Sequence, residues 1–86
     1  MGVELLPLGF GGVIAVNRVV AIANPRSTPI KQMVRRAREE GLLIDLRYGR
    51  SSEAVIFLDS GQVILAALSP EEVVERLGRW RKGEAL

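Results

Sequence analysis

Three stretches of this 86-residue chain, Val19 to Ala23, Ala54 to Leu58 and Val63 to Leu68, are unbroken apolar runs. A strand with one wet face alternates apolar and polar residues, whereas an unbroken run is the pattern of a strand covered on both faces. A chain this short has room for one core, so a small number of elements must supply both covers. The composition agrees: the hydrophobic share is 48 % before 9 glycines are counted, against about 45–50 % with glycine included in an ordinary globular domain.

The other elements follow from punctuation. Val3 to Leu8 reads as a strand closed by a Gly9-Phe10-Gly11-Gly12 turn, and Gly12 to Val16 and Arg18 to Ala23 read as two strands separated by Asn17. At Thr28-Pro29 the period changes. Thr28 is placed as an N-cap with proline at the first helical position, Ile30, Met33, Val34 and Ala37 fall on one helical face, and Gly41 is placed to end the helix. Leu43 to Tyr48, Glu53 to Leu58 and Gln62 to Leu68 read as three strands of an antiparallel meander, joined by Gly49 to Ser52 and by Asp59-Ser60-Gly61. Ser69-Pro70-Glu71-Glu72 is a capping box that opens a second helix, with Val73, Val74 and Leu77 as its apolar stripe and an end near Trp80.

The fold class expected is α+β, a small mostly antiparallel sheet with two helices, as a single domain over residues 1–80 with a tail over 81–86. Two short helices cannot cover both faces of five or six strands. The apolar surface left over is expected either to be buried by self-association or to be closed up as a barrel-like roll.

The absent residues narrow the chemistry. With no cysteine and no histidine there is no disulfide frame, no thiol nucleophile, no imidazole base and no zinc site of the usual ligands. Asp45 and Asp59 are isolated acids without a second ligand cluster, so no metal and no cofactor is expected. The apolar runs fall far short of the ~20 residues of a membrane-spanning helix. The expectation is a cytoplasmic protein with no membrane partner and no small-molecule substrate, and not an enzyme.

The net charge of +2 conceals a segregated chain. Residues 18–50 hold eight basic and three acidic side chains, residues 51–75 hold five acids and no base, and residues 76–86 hold four bases and one acid. Ten of the twelve basic residues are arginine, whose planar fork suits bidentate contact with phosphate. Lys31, Arg35 and Arg38 share a stripe on the first helix, with Arg36 beside it, and read as a solvated face partly neutralised by Glu39 and Glu40. Arg18, and the pair Arg47 and Arg50 flanking Tyr48-Gly49, sit at strand ends, where binding groups concentrate. Gly9-Phe10-Gly11-Gly12 lacks the lysine and the following helix that a phosphate loop requires and reads as a turn.

Leu8-Gly9-Phe10-Gly11, Asn17-Arg18, Pro29-Ile30-Lys31, Leu43-Ile44-Asp45 and Tyr48-Gly49-Arg50 form an ordered series, and in it the chain resembles the RemA family of small bacterial regulators of extracellular matrix genes, from about Val3 to Leu77. The resemblance implies a transcriptional regulator that binds double-stranded DNA as a homo-oligomeric ring, on a fold similar to LytTR-type DNA-binding domains, with loops in place of a recognition helix. By the same resemblance the DNA-contacting positions are Asn17, Arg18, Arg50 and Ser51, with Arg47 or Arg26 as substitutes. The family pattern continues with further basic residues where this chain has Ser51, Ser52 and Glu53. The alternative reading is an oligomeric interaction module whose acidic segment, residues 51–75, takes a basic partner.

Overall fold

Residues 54–58 and 63–66 lie at the centre of the molecule, covered on both sides. A computed structural model of the chain describes residues 5–9 and 12–81. The order is β1 (Leu5–Gly9), β2 (Gly12–Ala15), a 3-10 turn (Val16–Arg18), β3 (Val19–Ala23), α1 (Thr28–Glu39), β4 (Leu43–Leu46), β5 (Ala54–Leu58), β6 (Val63–Ala66) and α2 (Pro70–Arg81). β1 and β2 form an antiparallel hairpin, and the other four strands form one sheet in the order β3-β5-β6-β4. Ile56 of β5 stands between Ile22 of β3 and Ile64 of β6, and Ile64 in turn faces Ile44 of β4.

The unbroken runs of β5 and β6 are buried on both faces, as their pattern requires. On one face α1 brings Ile30, Val34 and Ala37 against Val55, Val63 and Leu65. On the other, Ala54, Ile56, Ile64 and Ala66 meet Leu6, Leu8, Ile14 and Val16 of the β1-β2 region and Val73 of α2. The cover that two helices lack is thus supplied by the first hairpin. Leu6 and Leu8 point into the core while Leu5 and Pro7 face water, the period-two alternation of a strand with one wet side. The hairpin lies close to β4: a Cβ on Gly12 would come within 3.2 Å of the Leu46 side chain, which would have to give by a few tenths of an ångström to accept an alanine.

Three expectations are corrected. First, residues 43–68 are not an antiparallel meander, because β4 pairs in parallel with β6 and is not paired with β5. Reading strands to Tyr48 and from Glu53 left a four-residue hairpin loop; the strands stop at Leu46 and resume at Ala54. The longer connection lets the chain cross beyond β6. β3, α1 and β4 are then a crossover unit with the β5-β6 hairpin inserted between its strands. Second, β3 shares the unbroken pattern but is an edge strand, its bulge residue Val20 67 % exposed. Third, the N-cap of α1 is Ser27, with no side-chain capping bond, and Thr28 is already helical. Smaller shifts end β2 at Ala15 and begin β3 at Val19. Val3, Glu4, Phe10 and Gly11 lie outside the described residues.

Both helix ends that the sequence marks most strongly are built as expected. Leu42 N donates to Ala37 O (2.8 Å) and Gly41 N to Arg38 O (3.3 Å), with Gly41 at φ +74°. This is the two-bond C-terminal motif that needs a left-handed residue after the cap. At α2, Glu72 N donates to Ser69 Oγ (3.1 Å) and Ser69 N donates to the Glu72 carboxylate (3.0 Å). The bond from the Ser69 backbone holds the Glu72 carboxyl below its usual range.

Candidate nucleic-acid interface

The direction of each strand fixes where the arginines sit. Val19, Leu58, Val63 and Leu43 mark one end of the four-stranded sheet, and Ala23, Ala54, Ala66 and Leu46 mark the other. Arg18 precedes β3, at one edge and the first end. Arg47 and Arg50 follow β4, at the opposite edge and the second end. Three strand spacings across and four residues along separate these corners by roughly 20 Å. A single protomer therefore does not gather Arg18 and Arg50 into one site.

At the first corner the 3-10 turn exposes Asn17 and Arg18. Asp59, from the β5-β6 turn, donates its backbone N–H to Arg18 O (2.9 Å), and the Arg18 guanidinium lies 3.3 Å from the Asp59 carboxylate. Both side chains are largely in water, and such a pair contributes about 0–1 kcal/mol. Arg18 is positioned by Asp59 but weakly held, so an incoming phosphate can replace the carboxylate at little cost.

At the second corner Arg47 is tightly held. Its Nε and Nη2 donate to the two Asp45 oxygens at 2.9 and 2.7 Å, and its backbone N–H donates to the same carboxylate at 2.9 Å. These bonds lower the Asp45 pKa from 3.8 to about 2 and raise that of Arg47. The sign follows: an acid with a depressed folded-state pKa stabilises the fold above its unfolded value and loses that contribution as the pH falls. Asp45 is half exposed, so the contribution is discounted for solvent screening to about 1 kcal/mol or less. The melting-temperature gap between wild type and Asp45→Asn is expected to be nearly full at pH 5, to shrink as the pH falls through 3.8 and to be lost only below about pH 2.

The Arg47 clamp anchors a tight turn. Arg50 N donates to Arg47 O (3.1 Å), and the two residues between them, Tyr48 and Gly49, both have positive φ, +52° and +81°. Two successive positive φ values are the signature of a type I′ turn. Glycine adopts that region freely, but a bulky residue there is an outlier that costs about 1–2 kcal/mol. The turn holds Tyr48 in water, 60 % exposed, with Arg50 and Ser51 exposed beside it. Of the positions expected to contact DNA, Asn17 and Arg18 share one corner and Arg47, Arg50 and Ser51 share the other. The guanidinium of Arg47 is engaged by Asp45.

Asp45 and Asp59, isolated acids in the sequence, are both partners of site arginines. The Asp-x-Arg spacing of Asp45 and Arg47 was the available signal for one; the Asp59 partnership is long-range and left none. Arg26, which lies 3.9 Å from Glu53, adds a cation at the second end.

These features define a small α+β domain that displays arginines on turns at opposite corners of a sheet. Within that class the chain belongs to the RemA-like family: residues 5–77 match the family model described as extracellular matrix regulatory protein A-like. It is similar to a Dehalococcoides mccartyi protein, 49 % identical over 96 % of this chain and 86 % of the relative. It is also similar to an Alkaliphilus oremlandii protein, 51 % identical over 90 % of this chain and 83 % of the relative. A Clostridium kluyveri relative is 49 % identical over 98 % of this chain and 89 % of its own length. All three carry the name “putative regulatory protein”. No helix among the described residues is long and apolar enough to cross a membrane.

Proposed function

We propose that this chain is a cytoplasmic transcriptional regulator of extracellular matrix genes that binds double-stranded DNA as a homo-oligomeric ring, with loop arginines on the phosphate backbone. Family membership supports the regulatory role, and the relatives' shared name agrees with it. The observation that carries the DNA reading is the diagonal placement of Arg18 and Arg50. Two corners about 20 Å apart give a protomer one or two phosphate contacts, whereas useful affinity near physiological salt draws on about 6–10. A head-to-tail assembly sets the Arg18 corner of one protomer near the Arg50 corner of the next and repeats the pair at each junction. The exposed edge strand β3 and the outward Leu5, Val13 and Val74 are apolar surface that such an assembly buries.

The interaction-module reading finds less support. Of the five acids in residues 51–75, Glu53 faces Arg26, Asp59 faces Arg18, and Glu72 is engaged in a helix cap. Light scattering should give a mass several times 9.4 kDa, and a mixed-sequence duplex should be retarded at low salt and released as salt rises. A monomer, or an intact oligomer that binds no duplex at low salt, overturns the proposal.

A further inference from the structure

Beside the second corner lies a half-open cavity of about 310 Å³, lined by Pro25, Lys31, Val34, Arg35, Arg38, Arg47, Ser52 and Leu65. The first helix contributes Lys31, Arg35 and Arg38, successive turns of one face, and the β4-β5 connection closes the other side with Arg47 and Ser52. The lining holds four cations and no acid. Arg47 is paired with Asp45, whose carboxylate also feels the charge of Arg38; the ion pairs among the described residues include none of Lys31, Arg35 and Arg38. Glu39 and Glu40, expected from the sequence to offset this stripe, do not reach it. Like charges one helical turn apart repel, and here they do so on the wall of a concavity.

A second observation points the same way. The Ser52 hydroxyl oxygen is buried and makes no hydrogen bond, and buried polar groups are nearly always satisfied. Pro25, Val34 and Leu65 supply an apolar wall, so the cavity combines the two surfaces of a small-ligand site: convergent polar groups and an apolar lining. Arginine forks beside a lysine suit a phosphate group, and the volume suits a ligand of mononucleotide size.

We infer that this cavity is a binding site for a small phosphate monoester of about mononucleotide size, its phosphate held by Lys31, Arg35 and Arg38 and its apolar body lying on Pro25, Val34 and Leu65. The site uses neither Arg18 nor Arg50 and does not depend on duplex binding.

The test is calorimetric titration of the full chain with AMP, and with adenosine as the probe that lacks the phosphate. AMP is expected to bind with sub-millimolar Kd and adenosine at least tenfold more weakly. Lys31→Ala combined with Arg35→Ala should weaken AMP binding by about tenfold or more. These residues are exposed, and an unchanged melting temperature confirms that the variant folds. Arg36→Ala, on the same helix but outside the cavity, should leave AMP binding within twofold of wild type. Absence of AMP binding at millimolar concentration, equal binding of adenosine, or equal damage from Arg36→Ala overturns the assignment. A duplex arm separates free from backbone phosphate: if the Lys31 and Arg35 variant loses duplex binding while wild type binds no AMP, the cavity holds DNA phosphate and the assignment fails.

Discussion

Ile56→Ala should lower the stability of the fold by about 3 kcal/mol, within the 2–5 kcal/mol that such core truncations cost. Ile56 is fully buried at the middle of β5, with Ile22 and Ile64 on either side and the β1-β2 hairpin over it. No neighbour can collapse into the space without leaving its own contacts, because sheet pairing fixes both flanking strands. In a domain of this size the loss corresponds to a fall in melting temperature of roughly 12–24 °C, a large share of the 5–15 kcal/mol that holds such domains folded. Val20→Ala is the matching control, taken from an equally apolar run. Val20 projects from an edge that is exposed in the single protomer, so at concentrations where copies are dissociated its truncation should change stability by less than about 0.5 kcal/mol. Chemical denaturation of both variants checks the pair; a similar cost for each would mean that β3 is covered like β5.

The second large effect concerns the arginines at the two corners. Arg50→Ala should weaken duplex binding by at least about tenfold near 0.1 M salt and reduce the slope of log affinity against log salt by about one for each copy that contacts a phosphate. Arg18→Ala should likewise weaken binding and lower the salt slope. Asp59→Asn is the sharper experiment. Removing the competing carboxylate frees Arg18 and deletes a negative charge from the surface, so affinity should rise severalfold while Arg50 is untouched. Gel shifts over a salt series read all three. Unchanged affinity in both arginine variants would sink the assignment of these corners.

The features that the sequence displayed were the local ones. The glycine-ended first helix and the capping box at Ser69 follow from bonds between residues three to five apart, and both formed as their residues require. The double burial of β5 and β6 was visible because an unbroken apolar run has one common cause. The same pattern misled at β3, since apolarity alone does not say whether the second cover comes from the same chain. The β4-β6 pairing was hidden for a related reason: strand partners are chosen by loop length and packing across the sheet, and boundaries displaced by two residues at Leu46 and one at Ala54 turn a crossover into a hairpin. At the site, Arg18 and Arg50 could be named from the motif series, but their separation is a property of strand direction. The positive φ of Tyr48 is imposed by a turn closed between Arg47 and Arg50, and residue type alone argues against it.

The inserted hairpin also bears on how the chain reaches this state. β3 and β4 run the same way and are tethered by α1, yet they must stay two strands apart until β5 and β6 occupy the gap between them. Parallel pairing of β4 with β6 has no turn to nucleate it and closes only after the β5-β6 hairpin exists. The topology therefore sets an expectation for hydrogen exchange: the amides of β4, the edge that carries Arg47 and Arg50, should exchange ahead of those at the centre of β5.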